Sequence, residues 1–475
     1  MKKNGLLIYK TIDLISIIIL YHIIGNKSIF LYVLSLSLYN IFFACFDNIT
    51  IKDYFKNIKT TKSKQKIFKY LLLIITILSF IFLLLSILVS DILSISLKIN
   101  NTLPIFIIMG ISIITRPLIK LLSEYLENST NNSNYSLFPI IYDIVDKVIL
   151  IIIAFLMFRV FKYNDISNLS LLYLSKLLGA VSIVYLLYFT RNSRTSYNYV
   201  PLEDNINYRK EVKYILKKNS HKSFINVIKN SYYYISIIIL YWVLNTRYHY
   251  KLDEIENVLT FTYFYALGLI NYLVYFSKLV IDRLPKDTKP IDKLYQSFKM
   301  ILRITIILGI ISPLLCKIIF LDANNSLYFT MVNFLAISIL LYEIIYEEIK
   351  NKSLIYISLI SGLIIKIITI IPLINAFYRM GYNLVYGDIL STMISMFISV
   401  IINYIYLRNQ SKKSEKYFEK ILNILYDNII LAIILIIIQF IIPMNTDNYL
   451  WTLIQIFIYL IVSILYIIIK NKKRG

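Results

Sequence analysis

Apolar residues run along this sequence in blocks of about twenty, divided by short polar breaks, and the pattern continues from one end to the other. A block of that length is what an α-helix needs to cross the ~30 Å hydrocarbon core of a bilayer. Windows of this width predict about fourteen spans, near 6–24, 29–46, 68–90, 103–123, 137–158, 169–190, 225–245, 258–281, 298–320, 326–346, 353–374, 384–407, 423–443 and 450–470. The pattern therefore predicts an all-α polytopic membrane protein. After Lys2 and Lys3 the first apolar block has no small-residue cleavage site and leads into further spans, so no removable leader is expected.

The polar breaks set the organisation. The longest of them, 191–224, is rich in Lys and Arg and falls between the sixth and seventh spans. It predicts two six-helix lobes, 1–195 and 225–410, joined by a basic amphipathic linker, 196–224, on the cytoplasmic membrane surface. Residues 411–475 then hold two extra helices and a basic tail. The sixth and twelfth spans both end in Arg-Asn, a weak sign of an internal repeat of the kind on which many transporters are built.

Composition sharpens the picture in one respect. The net charge of +23 would suit a nucleic-acid partner, but its distribution does not. With the N-terminus inside, the segments 52–69, 191–222, 283–299 and 408–420 and the tail "KNKKRG" all fall on the cytoplasmic side, as the positive-inside rule requires. Trp242 and Trp451 then both sit at the opposite interface, where aromatic belts form. The expectation is a multi-pass protein of the cell membrane with both termini cytoplasmic. Its basic loops face anionic lipid headgroups rather than nucleic acid.

Little in the sequence suggests catalysis. No Gly-rich phosphate loop or nucleophile–base arrangement stands out. Cys45 and Cys316 lie in apolar surroundings, and His22, His221 and His249 have no ligand-like spacing, so neither a metal nor a cofactor is expected.

The chemistry lies in charges placed inside apolar blocks, where each costs about 2.5–3.5 kcal/mol on insertion scales and tends to face a protein interior or water. The fifth span, "FPIIYDIVDKVILIIIAF", carries Asp143, Asp146 and Lys147. Asp143 and Lys147 are spaced i,i+4 with the acid first, the favourable order for a local pair. Asp146 then needs a distant cation, a proton or water. Either these groups fix helix packing or they line a cavity. Arg116 precedes Pro117, which frees a backbone carbonyl within a membrane helix. Lys176 and Lys366 have no acid three or four residues away; Lys176 can snorkel to an interface, and Lys366 either lines a cavity or finds a partner on another helix. Asp13 has Lys10 for a local partner, Asp388 follows Gly387 at a helix start where an acid suits the dipole, and Glu343 with Glu347 suits an interface.

Three segments carry a family resemblance. "YHIIGNKSIFLYVLSLSLYNIFFACFDN" places Gly25, Leu31 and Tyr32 as in the first-span turn of the multidrug/oligosaccharidyl-lipid/polysaccharide (MOP) exporter superfamily, with His22 where Arg is common. In the fifth span, Asp143, Asp146 and Lys147 stand at that superfamily's three polar positions, and Leu150 where it has a later Arg. "GYNLVYGDILSTMISMFISVIINYIYL" resembles its segment entering the twelfth span and retains Gly387. The order of spans agrees over nearly the whole chain. The chain most resembles the branch of polysaccharide biosynthesis proteins, stage V sporulation protein B-like proteins and lipid II flippases.

This resemblance implies a flippase that moves a polyprenyl-diphosphate-linked oligosaccharide or cell-wall precursor from the inner to the outer leaflet by alternating access. It also implies cell-envelope synthesis enzymes as possible partners. A diphosphate headgroup calls for several inward cations. Arg116, Lys147 and Lys366, with Asp143, Asp146 and Lys176, are the candidate substrate-binding residues, and Asp146, Asp13 and Asp388 the candidate coupling-ion residues. Two alternatives stay open. A multi-span glycosyltransferase or polysaccharide polymerase would need acids in a large outer loop, and the short loops offer one acidic cluster, Asp253, Glu254 and Glu256. A cation-coupled drug exporter of the same superfamily would have twelve spans.

Overall fold

The computed structural model describes residues 2–24, 29–47, 49, 51, 55, 61–97, 102–130, 133–162, 181, 185, 188, 208–285, 288–349, 351–410 and 417–472. Among them are fifteen α-helices and no strand. Ten helical stretches are long and apolar enough to cross a membrane, and a bent pair of helices makes an eleventh. The second expected span appears as a shorter apolar helix, Phe30–Phe46, and the fifth carries the three charges of Asp143, Asp146 and Lys147. The sixth, 169–190, lies almost wholly outside the described residues. The protein is an all-α polytopic membrane protein.

The chain forms two compact units, Met1–Asn257 and Val258–Gly475. The first contains α1 (Lys2–Ile24), α2 (Phe30–Asp47), α3 (Thr61–Leu97), α4 (Thr102–Thr130), α5 (Phe138–Phe155, continued by a wider π turn, Leu156–Val160) and α6 (Tyr208–Thr246). Helix α1 lies along α5, α2 packs between α4 and α6, and α3 runs along both α4 and α6.

The packing in this unit reverses the soluble pattern. On α3 the serines Ser79, Ser86 and Ser90 are buried, while Leu88, Ile92 and Ile95 are exposed. An apolar surface facing lipid costs nothing, and small side chains let helices approach closely. Gly110 of α4 shows how close: a Cβ there would lie 2.4 Å from Leu83 Cδ1 and 3.0 Å from Ser86 Oγ of α3. Ser90 Oγ donates to Thr102 Oγ1 at 2.9 Å, tying the end of α3 to the start of α4. Aromatic rings fix the other seams, with Phe30 stacked on Tyr241 at 4.9 Å and Phe68 on Tyr125 at 4.1 Å. The basic stretch 208–224 does not form a separate element, because α6 continues unbroken from it into the apolar segment.

Helix α7 (Leu252–Thr260) straddles the unit boundary. The second unit continues with a π segment (Phe261–Ala266), α8 (Leu267–Ile281), α9 (Pro290–Ile310), α10 (Ser312–Phe320), α11 (Ser326–Glu348), α12 (Lys352–Arg379), α13 (Leu384–Gln410), α14 (Tyr417–Ile441) and α15 (Tyr449–Lys472). Helix α12 lies along α13 as the most extensive pairing, and α11 packs on α8, α9 and α13. The ninth expected span, 298–320, is not one straight helix: α9 and α10 meet at 72° around Ile311. Pro313 accounts for the break, since it has no N–H for the carbonyl of Gly309. The Ser312 and Thr330 hydroxyls meet at 2.6 Å, tying the bend to α11.

Helices α14 and α15 are joined mainly to each other and to α9 and α10. Lys470 Nζ reaches the buried Asp427 at 2.9 Å, and Leu431, Leu435 and Tyr459 pack with Ile307, Ile311 and Leu314. At one end of α11, Glu343 and Glu347 both face Lys278 of α8, at 3.7 and 2.6 Å. Their like charges share one counter-ion.

Candidate functional site

The charges of the first unit gather on facing helices. Position 143 of α5 meets position 116 of α4: Arg116 Nη2 donates to Asp143 Oδ2 at 2.8 Å. Two residues of α2 complete the guanidinium's surroundings. Arg116 Nη1 donates to the Tyr39 hydroxyl at 3.3 Å, and the Phe43 ring lies 4.4 Å below the guanidinium carbon. Tyr39 and Phe43 are one helical turn apart and stack at 5.7 Å, forming an aromatic platform on which a planar cation can rest.

One turn further along α5, Lys147 Nζ pairs with Asp13 Oδ1 of α1 at 2.7 Å. The i,i+4 spacing of Asp143 and Lys147 therefore gives no local pair as the dominant contact; each takes a partner on a different helix. The reason is geometric. The buried stripe of α5 is Tyr142, Asp146, Leu150 and Ala154, and the two flanking charges point to the helices on either side of it. Asp146 itself is 3% exposed, on the packed face.

These two pairs are not sealed. The side chains of Arg116 and Asp143 keep 27% and 18% of their surface, and those of Lys147 and Asp13 keep 17% and 24%. Both pairs thus unite two opposite charges, fixed by helix packing, with part of each side chain left exposed. Chemically, such an array can exchange an internal carboxylate for a phosphate oxygen without moving the cation far.

The second unit holds a different arrangement. Lys366 of α12 and Asp388 of α13 are ion-paired with both side chains fully buried. The Lys366 ammonium also donates to the Asp388 carbonyl at 3.2 Å and to the Thr392 hydroxyl. Tyr263, in the π segment, donates to the other Asp388 oxygen. Ser391 and Thr369 join at 2.8 Å beside them. Gly387 makes this possible: a Cβ there would lie 2.6 Å from the backbone nitrogen of Ile374, so α12 and α13 touch backbone to backbone. Asp388 thus binds a lysine from a neighbouring helix as well as standing at a helix start.

Of the sequence candidates, Asp13, Arg116, Asp143, Asp146 and Lys147 come together in the first unit, and Lys366 with Asp388 in the second. Lys176 lies outside the described residues. Gly25 does too, while Leu31 and Tyr32 are buried at 2% exposure. Sequence reasoning missed Tyr39, Phe43, Tyr263 and Thr392. Only Thr392, one turn after Asp388, had a local signal. Arg159, which donates to the His22 carbonyl, was also missed. Among the described residues no cluster of three His, Cys, Asp or Glu could hold a metal.

The described helices thus form a polytopic membrane bundle, with ion pairs linking them inside the apolar zone. The sequence matches no family model and no curated protein. Its fold is that of MOP-superfamily transporters. It is similar to the lipid II flippase MurJ in an inward closed conformation, with a TM-score of 0.65 and 17% identity over 99% of this chain and 98% of that one. It is also similar to a multidrug resistance MATE family transporter of the MOP superfamily in an inward-facing conformation, with a TM-score of 0.50 and 11% identity over 86% of this chain and 94% of that one.

Proposed function

We propose that this protein is a flippase that carries a polyprenyl-diphosphate-linked oligosaccharide or cell-wall precursor from the inner to the outer leaflet by alternating access. The observation that carries this reading is the pair of partly exposed cations of the first unit, Arg116 and Lys147, each held by a carboxylate of another helix. A diphosphate presents several anionic oxygens, and a guanidinium on α4 with an ammonium on the adjacent α5 matches them in charge. Asp143 and Asp13 hold the cations when the headgroup is absent and accept them back on release. Asp146, on the buried face of the same helix, is the group whose protonation or cation binding would reset the pairs.

The extent of the structural likeness supports a lipid-linked substrate over a drug. The likeness to the drug transporter covers 86% of this chain, and that to the lipid II flippase covers 99%. Helices α14 and α15 then have a use, as a flank for a long lipid tail. Both termini face the cytoplasm in this reading, on the strength of the Lys/Arg asymmetry. Lys366 has no exposed surface and holds α12 to α13.

The test is reconstitution of Arg116→Gln/Lys147→Gln in vesicles with a fluorescent polyprenyl-diphosphate saccharide. Translocation should fall to the protein-free rate while yield and membrane insertion stay at the wild-type level. Unchanged translocation by that variant would remove the assignment.

A further inference from the structure

The basic start of α6 does more than mark a side of the membrane. Arg209, Lys213 and Lys217 follow one another at i,i+4 spacing and so form a single stripe on that helix. They border a groove of about 430 Å³ against α3, whose floor is Tyr70, Ile74, Val212 and Leu216. Val212 is buried, whereas the three cations are exposed. The only acid within 208–220, Glu211, does not line the groove.

The position along both helices is informative. The membrane-crossing stretch of α3 begins at Lys64 and that of α6 at Ser220. The groove therefore joins the polar end of α6 to the first turns of the apolar stretch of α3, from headgroup depth inward. Beyond it the seam between α3 and α6 leads to a second groove of about 330 Å³, lined by Val89, Ile92, Leu93, Tyr234, Ile238 and Trp242 among others. Ile74 and Val89 are about 22 Å apart along the helix at 1.5 Å per residue. Two grooves set that far apart, each with apolar side chains from α3 and α6, suit an acyl chain.

We infer that Arg209, Lys213 and Lys217 form a binding site for one anionic phospholipid, its phosphate among the cations and an acyl chain laid in the seam between α3 and α6. A free anion would make no use of the apolar floor, and a zwitterionic lipid would bring its own cation against three others. Charge and depth together select the anionic lipid. The inference does not depend on the transported substrate, since lipid retention is measured without transport.

Native mass spectrometry of the full chain in detergent, with equal amounts of phosphatidylglycerol and phosphatidylcholine, tests it. The wild type should retain one phosphatidylglycerol in preference to phosphatidylcholine, and Arg209→Gln/Lys213→Gln/Lys217→Gln should lower that preference at least about tenfold. Leu216→Trp, which fills the floor and spares every cation, should lower retention as well. A control with the same charge loss, Lys289→Gln/Lys352→Gln/Arg379→Gln, should keep the wild-type preference. Inorganic phosphate should not displace the lipid. Equal loss in the control, or full retention in the first triple variant, would overturn the site; displacement by phosphate would reduce it to a simple anion site.

Discussion

The Lys366 ammonium of α12 and the Asp388 carboxylate of α13 meet with no side-chain surface exposed on either partner. Each charge is therefore balanced only by the other and by the hydrogen bonds around them. Removing one partner leaves an uncompensated buried charge, which costs about 3–5 kcal/mol, whereas replacing both with neutral groups is often close to neutral. Lys366→Met and Asp388→Asn should each lower the midpoint of thermal unfolding in detergent steeply. The double variant should recover most of the loss. Additive losses would show that the two residues act apart.

Gly387 and Gly309 are both helical glycines with opposite surroundings. A Cβ at Gly387 would meet backbone atoms of Leu373 and Ile374 at 2.6–2.7 Å, and backbone cannot turn aside. At Gly309 the nearest atoms are side-chain atoms at 3.7 Å, an ordinary contact. Gly387→Ala should force α12 and α13 apart and cost about 1–3 kcal/mol as overpacking. Gly309→Ala should be neutral or stabilise by up to about 1 kcal/mol through helix propensity. Thermal unfolding of the two single variants separates them, and equal behaviour would remove the close-approach account.

The partners of Asp143 and Lys147 can be tested by double-mutant cycles. Arg116→Gln with Asp143→Asn should show a coupling of about 0.5–3 kcal/mol, because the two side chains touch across helices. Asp143→Asn with Lys147→Gln should show less than about 0.5 kcal/mol, the level of a local helical pair. The reverse order would restore the local pairing that the spacing alone suggests. Cycles read on unfolding in detergent also bear on transport, since the cross-helix pairs are the ones that a phosphate would replace.

What the sequence made legible was set by range. Apolar windows locate the spans because a bilayer demands about twenty such residues in each, whatever their partners. Asp146 is readable as a buried group, since it shares a stripe with Tyr142 and Leu150 that a period of 3.6 predicts. Partners are another matter. Lys147 lies 134 residues from Asp13 and Lys366 lies 22 from Asp388, so an i,i+4 rule sees neither contact. The rule offered Lys147 to Asp143 because no nearer cation was in view. Tyr39 and Phe43 looked like two more aromatics in a chain with 42 Tyr; only the position of Arg116 over them gives them a role. The bend at Ile311 was within reach, because Pro313 announces it, yet an apolar window averages across a proline.

A last consequence concerns Ser358, a single small side chain at which three helices meet. Its hydroxyl lies 2.8 Å from the Tyr346 hydroxyl of α11 and accepts from Asn403 Nδ2 of α13 at 2.7 Å. Its carbonyl accepts from Ser399 Oγ at 2.9 Å. All three side chains sit where water does not reach, so a donor left without a partner costs about 1–3 kcal/mol. Ser358→Ala should therefore destabilise by about that amount although it removes one oxygen atom. Tyr346→Phe in the Ser358→Ala background should cost less than in the wild type, because the hydroxyl it deletes has already lost Ser358 and keeps only Ser399 and Asn403 beside it. Asn403 keeps a hydrogen bond to the Ser399 carbonyl at 2.8 Å, so its position should survive the change. If Ser358→Ala unfolds at the wild-type temperature, the hydroxyl is not what holds α11, α12 and α13 in register.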